Sequence, residues 1–279
     1  MRDPRRLLPS WHRNDDVALT APARSWHDEA MQPVLGLISH GTSSPDGQAV
    51  ILALAEAVAA DLRERGITDT LALGHVDVQA PDVAEVLATL PADRTTVLVP
   101  LLLSPGYHVH VDLAEAVAGA GGPAPDGMGS VPGRPVRDIR VAGTLGPDPR
   151  LAELLAANLP ALDDGDEVIL VAAGSSDERA NDASRAVGDL LAETLARPVH
   201  TTFLAGDHDN LRDIVEQKSH LGRRLVAANY LLAPGYFDDL AARLLATVGG
   251  RLSAPLLHPS SPAPRQLVDI VRDRMVAVL

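Results

Sequence analysis

The chain has 279 residues, of which 46% are hydrophobic and only 3% aromatic, and it carries a formal net charge of −13. That length admits two domains, each burying its own core, while the negative charge repels a phosphate backbone and the scarcity of aromatics leaves no base-stacking platform, so nucleic acid is excluded as a partner. The absence of cysteine removes disulfides, thiolate ligands and iron–sulfur clusters and suits a reducing cytoplasm, and no apolar run reaches the length of a membrane span.

Residues 1–33 carry Arg2, Arg5, Arg6, Arg13 and Arg24 with Trp11 and Trp26, and lack the continuous apolar stretch of a secretory signal. They are expected to form a poorly ordered tail; Met31, just ahead of the first strand pattern, makes start-site choice one explanation for it. Val34–Ser39 is a short apolar run ending in the turn cluster His-Gly-Thr-Ser-Ser-Pro. From about Gly47 to Arg65 the spacing is helical: Val50, Leu54, Val58 and Leu62 recur every four residues, and Gly66 closes the element. Thr70–Val78 reads as a strand. Pro81 opens a helix over Asp82–Leu90, with Asp82 and Glu85 on a solvated face. Thr95–Leu103 is the longest aliphatic run and is expected to be a central strand buried on both faces. A helix is predicted from about Val111 to Ala118, with Asp112 read as its cap ahead of the alternative that it orients an imidazole. Gly121–Pro135 is a Gly- and Pro-dense surface loop, Arg137–Ala142 a fourth strand and Arg150–Asn158 a fourth helix.

The second half repeats this order: strand at Glu167–Ala172, helix at Glu178–Leu195, then Val199–Leu204, His208–Lys218, Leu225–Leu232, Tyr236–Thr247, Arg251–Leu256 and Pro264–Val278. Strand–helix alternation with short links predicts parallel sheets with right-handed crossovers. The expected fold is α/β, two tandem doubly wound domains, each a four-stranded parallel sheet flanked by helices. Their expected extents are 34–162 and 163–279.

The two halves also match residue by residue. Leu-Gly-Leu-Ile-Ser-His-Gly-Thr-Ser-Ser (35–44) aligns with Val-Ile-Leu-Val-Ala-Ala-Gly-Ser-Ser-Asp (168–177), and Leu-Leu-Leu-Ser-Pro-Gly-Tyr-His (101–108) with Tyr-Leu-Leu-Ala-Pro-Gly-Tyr-Phe (230–237). His40 falls opposite Ala173 and His108 opposite Phe237, an asymmetry that packing does not require. Ligands of doubly wound sheets bind beyond the carboxyl ends of the strands, where strand order reverses. His40 follows the first strand and His108 the third, so both are expected at that crevice, with Gly41 and Gly106 allowing tight turns. Neutral imidazole suits divalent iron, cobalt, nickel or zinc and also accepts protons near neutral pH. Two histidines are too few for a closed structural metal cage; they suit a site that holds a metal briefly and hands it on. His110 faces either the same cleft or solvent, and His75 reads as structural. The Gly-Thr-Ser-Ser stretch is not a P-loop, since no Gly-Lys-Ser/Thr follows.

The opening Ser-His-Gly-Thr-Ser-Ser resembles that of the sirohydrochlorin chelatases, the small class II chelatases. Val-Pro-Leu-Leu-Leu-Ser-Pro-Gly-Tyr-His-Val-His-Val-Asp (99–112) resembles their second motif, and the stretch from Asp77 to Leu87 resembles the segment between. The similarity extends over about residues 34–279. It implies chelatase-like domains that insert Co²⁺ or Fe²⁺, as substrate and without an organic cofactor, into sirohydrochlorin on the way to cobalamin or sirohaem. By the same resemblance His40 and His108 handle the metal and the pyrrole protons. The macrocycle is then expected in the cleft between the halves, its acidic side chains met by Arg or backbone N–H groups. A metal or tetrapyrrole carrier on the same scaffold is one alternative. A histidine phosphotransferase is another, disfavoured because Ser39 stands where that chemistry wants an arginine.

Overall fold

The computed structural model describes residues 32–104, 106–122, 136–206, 208–218 and 223–279, without the side chains of residues 107–111 and 218. The tail expected over residues 1–33, Gln32 and Pro33 apart, and most of the loop expected at 121–135 lie outside the described residues.

The first half is β1 (Val34–Ser39), α1 (Pro45–Glu64), β2 (Leu71–His75), α2 (Val83–Thr89), β3 (Thr96–Pro100), α3 (Tyr107–Gly119), β4 (Ile139–Val141) and α4 (Pro149–Asn158). The second is β5 (Glu167–Ala172), α5 (Glu178–Leu195), β6 (Val199–Phe203), α6 (Leu211–Lys218), β7 (Leu225–Tyr230), α7 (Tyr236–Ala246), β8 (Arg251–Leu252) and α8 (Arg265–Val276). Each half builds a four-stranded parallel sheet, in the orders β2-β1-β3-β4 and β6-β5-β7-β8. The central strands β1 and β3 are buried along their whole length, as are β5 from Val168 onward and β7, which is why they read as continuous apolar runs rather than alternating ones.

Local signals account for the helix starts. Ser44 caps α1 by accepting from the Gly47 amide at 3.2 Å, with Pro45 in the first turn. Asp82 and Glu85 are exposed, as expected of a solvated face, and they also form a reciprocal capping box on α2. One boundary differs in a way that matters. α3 begins at Tyr107, four residues before the predicted start, and its N-cap is Gly106, so Asp112 lies inside the helix and does not cap it. His108 is therefore in the first turn of a helix. The β-branched Val109 and Val111 masked the helical register.

Between the sheets a single core joins Leu54, Val58 and Leu62 of α1, Leu151 and Leu155 of α4, Val187 and Leu191 of α5, and Leu267, Ile270 and Val271 of α8. Each of these fully buried Leu, Ile or Val side chains contributes about 1.5–3 kcal/mol. The last helices of the two halves cross over: α4 packs on α5 and β7, and α8 packs on α1 and β3. Asp61 of α1, buried, fastens this crossing. It accepts from Arg65 at 3.0 Å and pairs with Arg265 at 2.7 Å and Arg272 at 3.3 Å, both from α8. Arg140 reaches the last carbonyls of the chain, those of Val278 and Leu279. Two further clusters cover the outer faces, one under α2 and α3, the other under α6 and α7. Among the described residues no helix is long and apolar enough to cross a membrane.

Candidate functional site

The carboxyl ends of β1, β3, β5 and β7 open onto one cleft of about 580 Å³, lined by both halves, within the size range of small-molecule sites. From the first half come His40, Thr42 and Ser43 after β1, Val78 after β2 and Leu103, Ser104 and Gly106 after β3. From the second come Ala173, Gly174 and Ser175 after β5 and the run from Leu231 to Asp238 after β7. A hydrogen bond crosses beneath the cleft, the Tyr230 hydroxyl donating to the Leu103 carbonyl at 3.0 Å.

The duplication is visible atom by atom. Asp77 N donates to His40 O at 3.0 Å, and Ala205 N donates to Ala173 O at 2.9 Å. Gly41 and Gly174 take φ of +92° and +84°, and an added Cβ would lie 1.9 Å from Asp77 O and 2.1 Å from Ala205 O. Both positions therefore require glycine. Gln48 donates to the Thr42 carbonyl at 2.8 Å, as Asn181 does to that of Ser175 at 2.9 Å. The backbone that carries His40 is thus the backbone that carries Ala173.

His40 is exposed at the mouth of the cleft. Its turn is fixed from below by a feature that the sequence pattern alone did not reveal. Ser39 Oγ lies 2.7 Å from Nδ1 of His75 on the neighbouring strand, and it accepts from the Gly41 amide at 3.2 Å. The Ser39 hydroxyl is thus shared between the Gly41 amide and the His75 ring nitrogen, and its second lone pair and its proton suit either tautomer of the imidazole. Burial pushes the His75 imidazole below its ordinary pKa, in keeping with the neutral form. The second copy has Ala172 and Phe203 at these two positions. His75 is thus structural, as its strand position implies.

A second feature concerns Val78, predicted within a strand. It lies beyond β2 in a left-handed conformation with φ +68°, rare for a β-branched residue, and is 60% exposed in the cleft. The loop is held there by Val78 N donating to Asp77 Oδ1 at 2.7 Å and Thr42 N donating to Gln79 Oε1 at 2.8 Å. These bonds tie the β2–α2 loop to the turn bearing His40.

His108 lies in the first turn of α3, which follows β3, the strand beside β1. Its side chain lies outside the described residues, as does that of His110. Among the described residues no group of three or more His, Cys, Asp or Glu side chains is arranged to hold a metal. The corresponding edge of the second half is aromatic. Tyr236 and Phe237 are 71% and 36% exposed in the cleft, their rings 5.6 Å apart, whereas the other described aromatic side chains, Phe203 and Tyr230, are buried. Among the described residues that line the cleft none is Lys or Arg.

A family model described as CbiX matches residues 34–161 and 167–247, spanning both halves. The chain belongs to the CbiX family. Among solved structures, SirB from Bacillus subtilis with Fe³⁺ superposes with a TM-score of 0.69 at 17% identity, over 88% of this chain and 94% of that one. The sirohydrochlorin chelatase SirB from Bacillus subtilis subspecies spizizenii in complex with cobalt gives 0.64 at 16%, with the same coverage. CbiX, described as the terminal enzyme for siroheme biosynthesis in denitrifying bacteria, gives 0.56 at 18%, over 88% and 99%. No curated protein sequence matches the chain. At these identities the structural likeness concerns the fold, and it agrees with the tandem CbiX-type domains seen here.

Proposed function

We propose that this CbiX-family chain is a cytoplasmic sirohydrochlorin chelatase that inserts a divalent ion, Co²⁺ or Fe²⁺, into the tetrapyrrole in cobalamin or sirohaem synthesis. The observation that carries the reading is the cleft at the ends of β1 and β3. His40 and His108 are borne by the elements leaving those two adjacent strands, and the duplicated half offers alanine and phenylalanine at the matching places. Expected domain extents of 34–162 and 163–279 place the metal-handling pair in the first half and the opposing wall in the second.

Insertion of a divalent cation removes two pyrrole N–H protons and moves the cation from protein to ring. In this reading one imidazole holds the ion at the mouth of the cleft while the other accepts a proton. The macrocycle rests against Tyr236 and Phe237, whose exposed rings suit a flat conjugated partner. With no Lys or Arg among the described cleft residues, the ring's carboxylates turn to solvent, hydroxyls and backbone amides. The expected arginine partners are not found among them.

Turnover tests the reading. Purified protein given free sirohydrochlorin and excess Co²⁺ or Fe²⁺ should accelerate the absorbance change of metallation above the uncatalysed rate over many equivalents. A carrier would bind one equivalent and stop. Competition between the two metals in the same assay identifies the physiological substrate.

A further inference from the structure

The first half has the histidines; the second has a polar pair of its own. Asn229, on β7, is fully buried, and its side-chain amide donates to Asp238 Oδ1 at 2.8 Å and to the Ser253 carbonyl at 3.3 Å. Asp238, in the first turn of α7, lines the cleft. The aligned positions of the first half are Pro100 and Val109, which can form no such pair. The two halves are thus asymmetric in both directions. An acid in the first turn of a helix usually serves the backbone amides there, but the hydrogen bond that Asp238 makes is to the Asn229 amide. Burial raises its carboxyl pKa, the neighbouring Asp239 adds to this, and Asn229 and His258 oppose it, leaving a net upward shift. A carboxylate shifted that way is a stronger base.

Resting on the chelatase reading above, we propose that Asp238, held by Asn229, accepts the second pyrrole proton from the opposite side of the ring. The balance leaves a second proton to place. A divalent ion replaces two N–H protons, and with one imidazole bound to the ion only one remains as base. In the step, two N–H bonds break, the ion's bonds to the holding imidazole and to water give way to bonds to the four ring nitrogens, one proton passes to the other imidazole and one to the Asp238 carboxylate, and no electron is transferred.

Asp238→Asn keeps the size of the side chain and an oxygen to accept from Asn229. It should lower kcat about 100-fold or more while the KM for metal and the Kd for sirohydrochlorin stay within about twofold of wild type. Asp238→Ala should recover turnover when formate is added, which a purely structural role would not produce. Wild-type-like kcat in Asp238→Asn would overturn the inference, as would Asp238→Ala losing turnover with its thermal midpoint intact and showing no response to formate. Those results would leave the chelatase reading standing, because wild-type turnover is measured alongside. Absence of turnover in the wild type would overturn both.

Discussion

The Ser39–His75 pair offers a sharp test, because the protein already contains its apolar replacement. Ser39 and His75 are 4% and 6% exposed, and their counterparts Ala172 and Phe203 are 2% and 1% exposed at the same places in a superposable turn. Ser39→Ala removes the hydrogen-bond partner of His75 Nδ1 and the acceptor of the Gly41 amide. A buried group left without its partner costs about 1–3 kcal/mol; the His75 nitrogen is enclosed and the half-buried Gly41 amide can turn to water, so a loss of about 2 kcal/mol is expected. His75→Phe alone leaves the buried Ser39 hydroxyl without its ring partner and should cost about 1 kcal/mol or more. Making both changes rebuilds the Ala–Phe pair, and replacing both partners with apolar groups of similar shape is close to neutral. Urea unfolding of the four proteins gives the double-mutant cycle, with an expected favourable coupling of more than about 1 kcal/mol. Additive losses in the double variant would refute both the hydrogen-bond assignment and the equivalence of the two turns.

Other expectations follow from the same geometry. Tyr236→Ala together with Phe237→Ala should raise the KM for sirohydrochlorin about fivefold or more, because each ring supplies about 0.5–1.5 kcal/mol of stacking, and leave the KM for metal unchanged; steady-state kinetics with each substrate varied checks this. Burial pushes the Asp61 carboxyl up, but Arg65 and Arg265 outweigh it and hold its pKa below the ordinary value. The stabilisation it gives is therefore complete above about pH 4 and is lost as pH falls through the lowered folded value. Asp61→Asn should cost about 1.5–3 kcal/mol at pH 7, and the gap to wild type in denaturation midpoint should narrow below about pH 4. Gly41→Ala should destabilise the β1–α1 turn, since the added methyl meets the Asp77 carbonyl; loss of metal insertion with little change in the hydrogen exchange of α5 and β5 is the expected outcome.

The fold was legible because its strands are buried on both faces. Val97, Leu98 and Val99, or Ile169, Leu170 and Val171, admit no reading but central parallel strands, and repetition of the pattern gave the second sheet. The crossing of α4 and α8 was not legible: an apolar helical stripe such as Leu267, Ile270 and Val271 states that a face is buried, not against which sheet. In the site, His40 and its glycine were marked by motif and by the repeat. The Ser39–His75 bond was hidden because it joins residues 36 apart on neighbouring strands. Asp238 was hidden because an acid in a first helical turn is commonplace. The early start of α3 was hidden by valines that read equally well as strand.

The central claim is that imidazoles from two adjacent strand ends serve one ion on its way into the macrocycle. Metallation of sirohydrochlorin by His40→Ala and His108→Ala, followed by absorbance beside wild type and with unfolding midpoints confirmed, tests it most directly. Each variant should fall about 100-fold or more in kcat while still binding the tetrapyrrole. Near-normal turnover in either one would contradict the account.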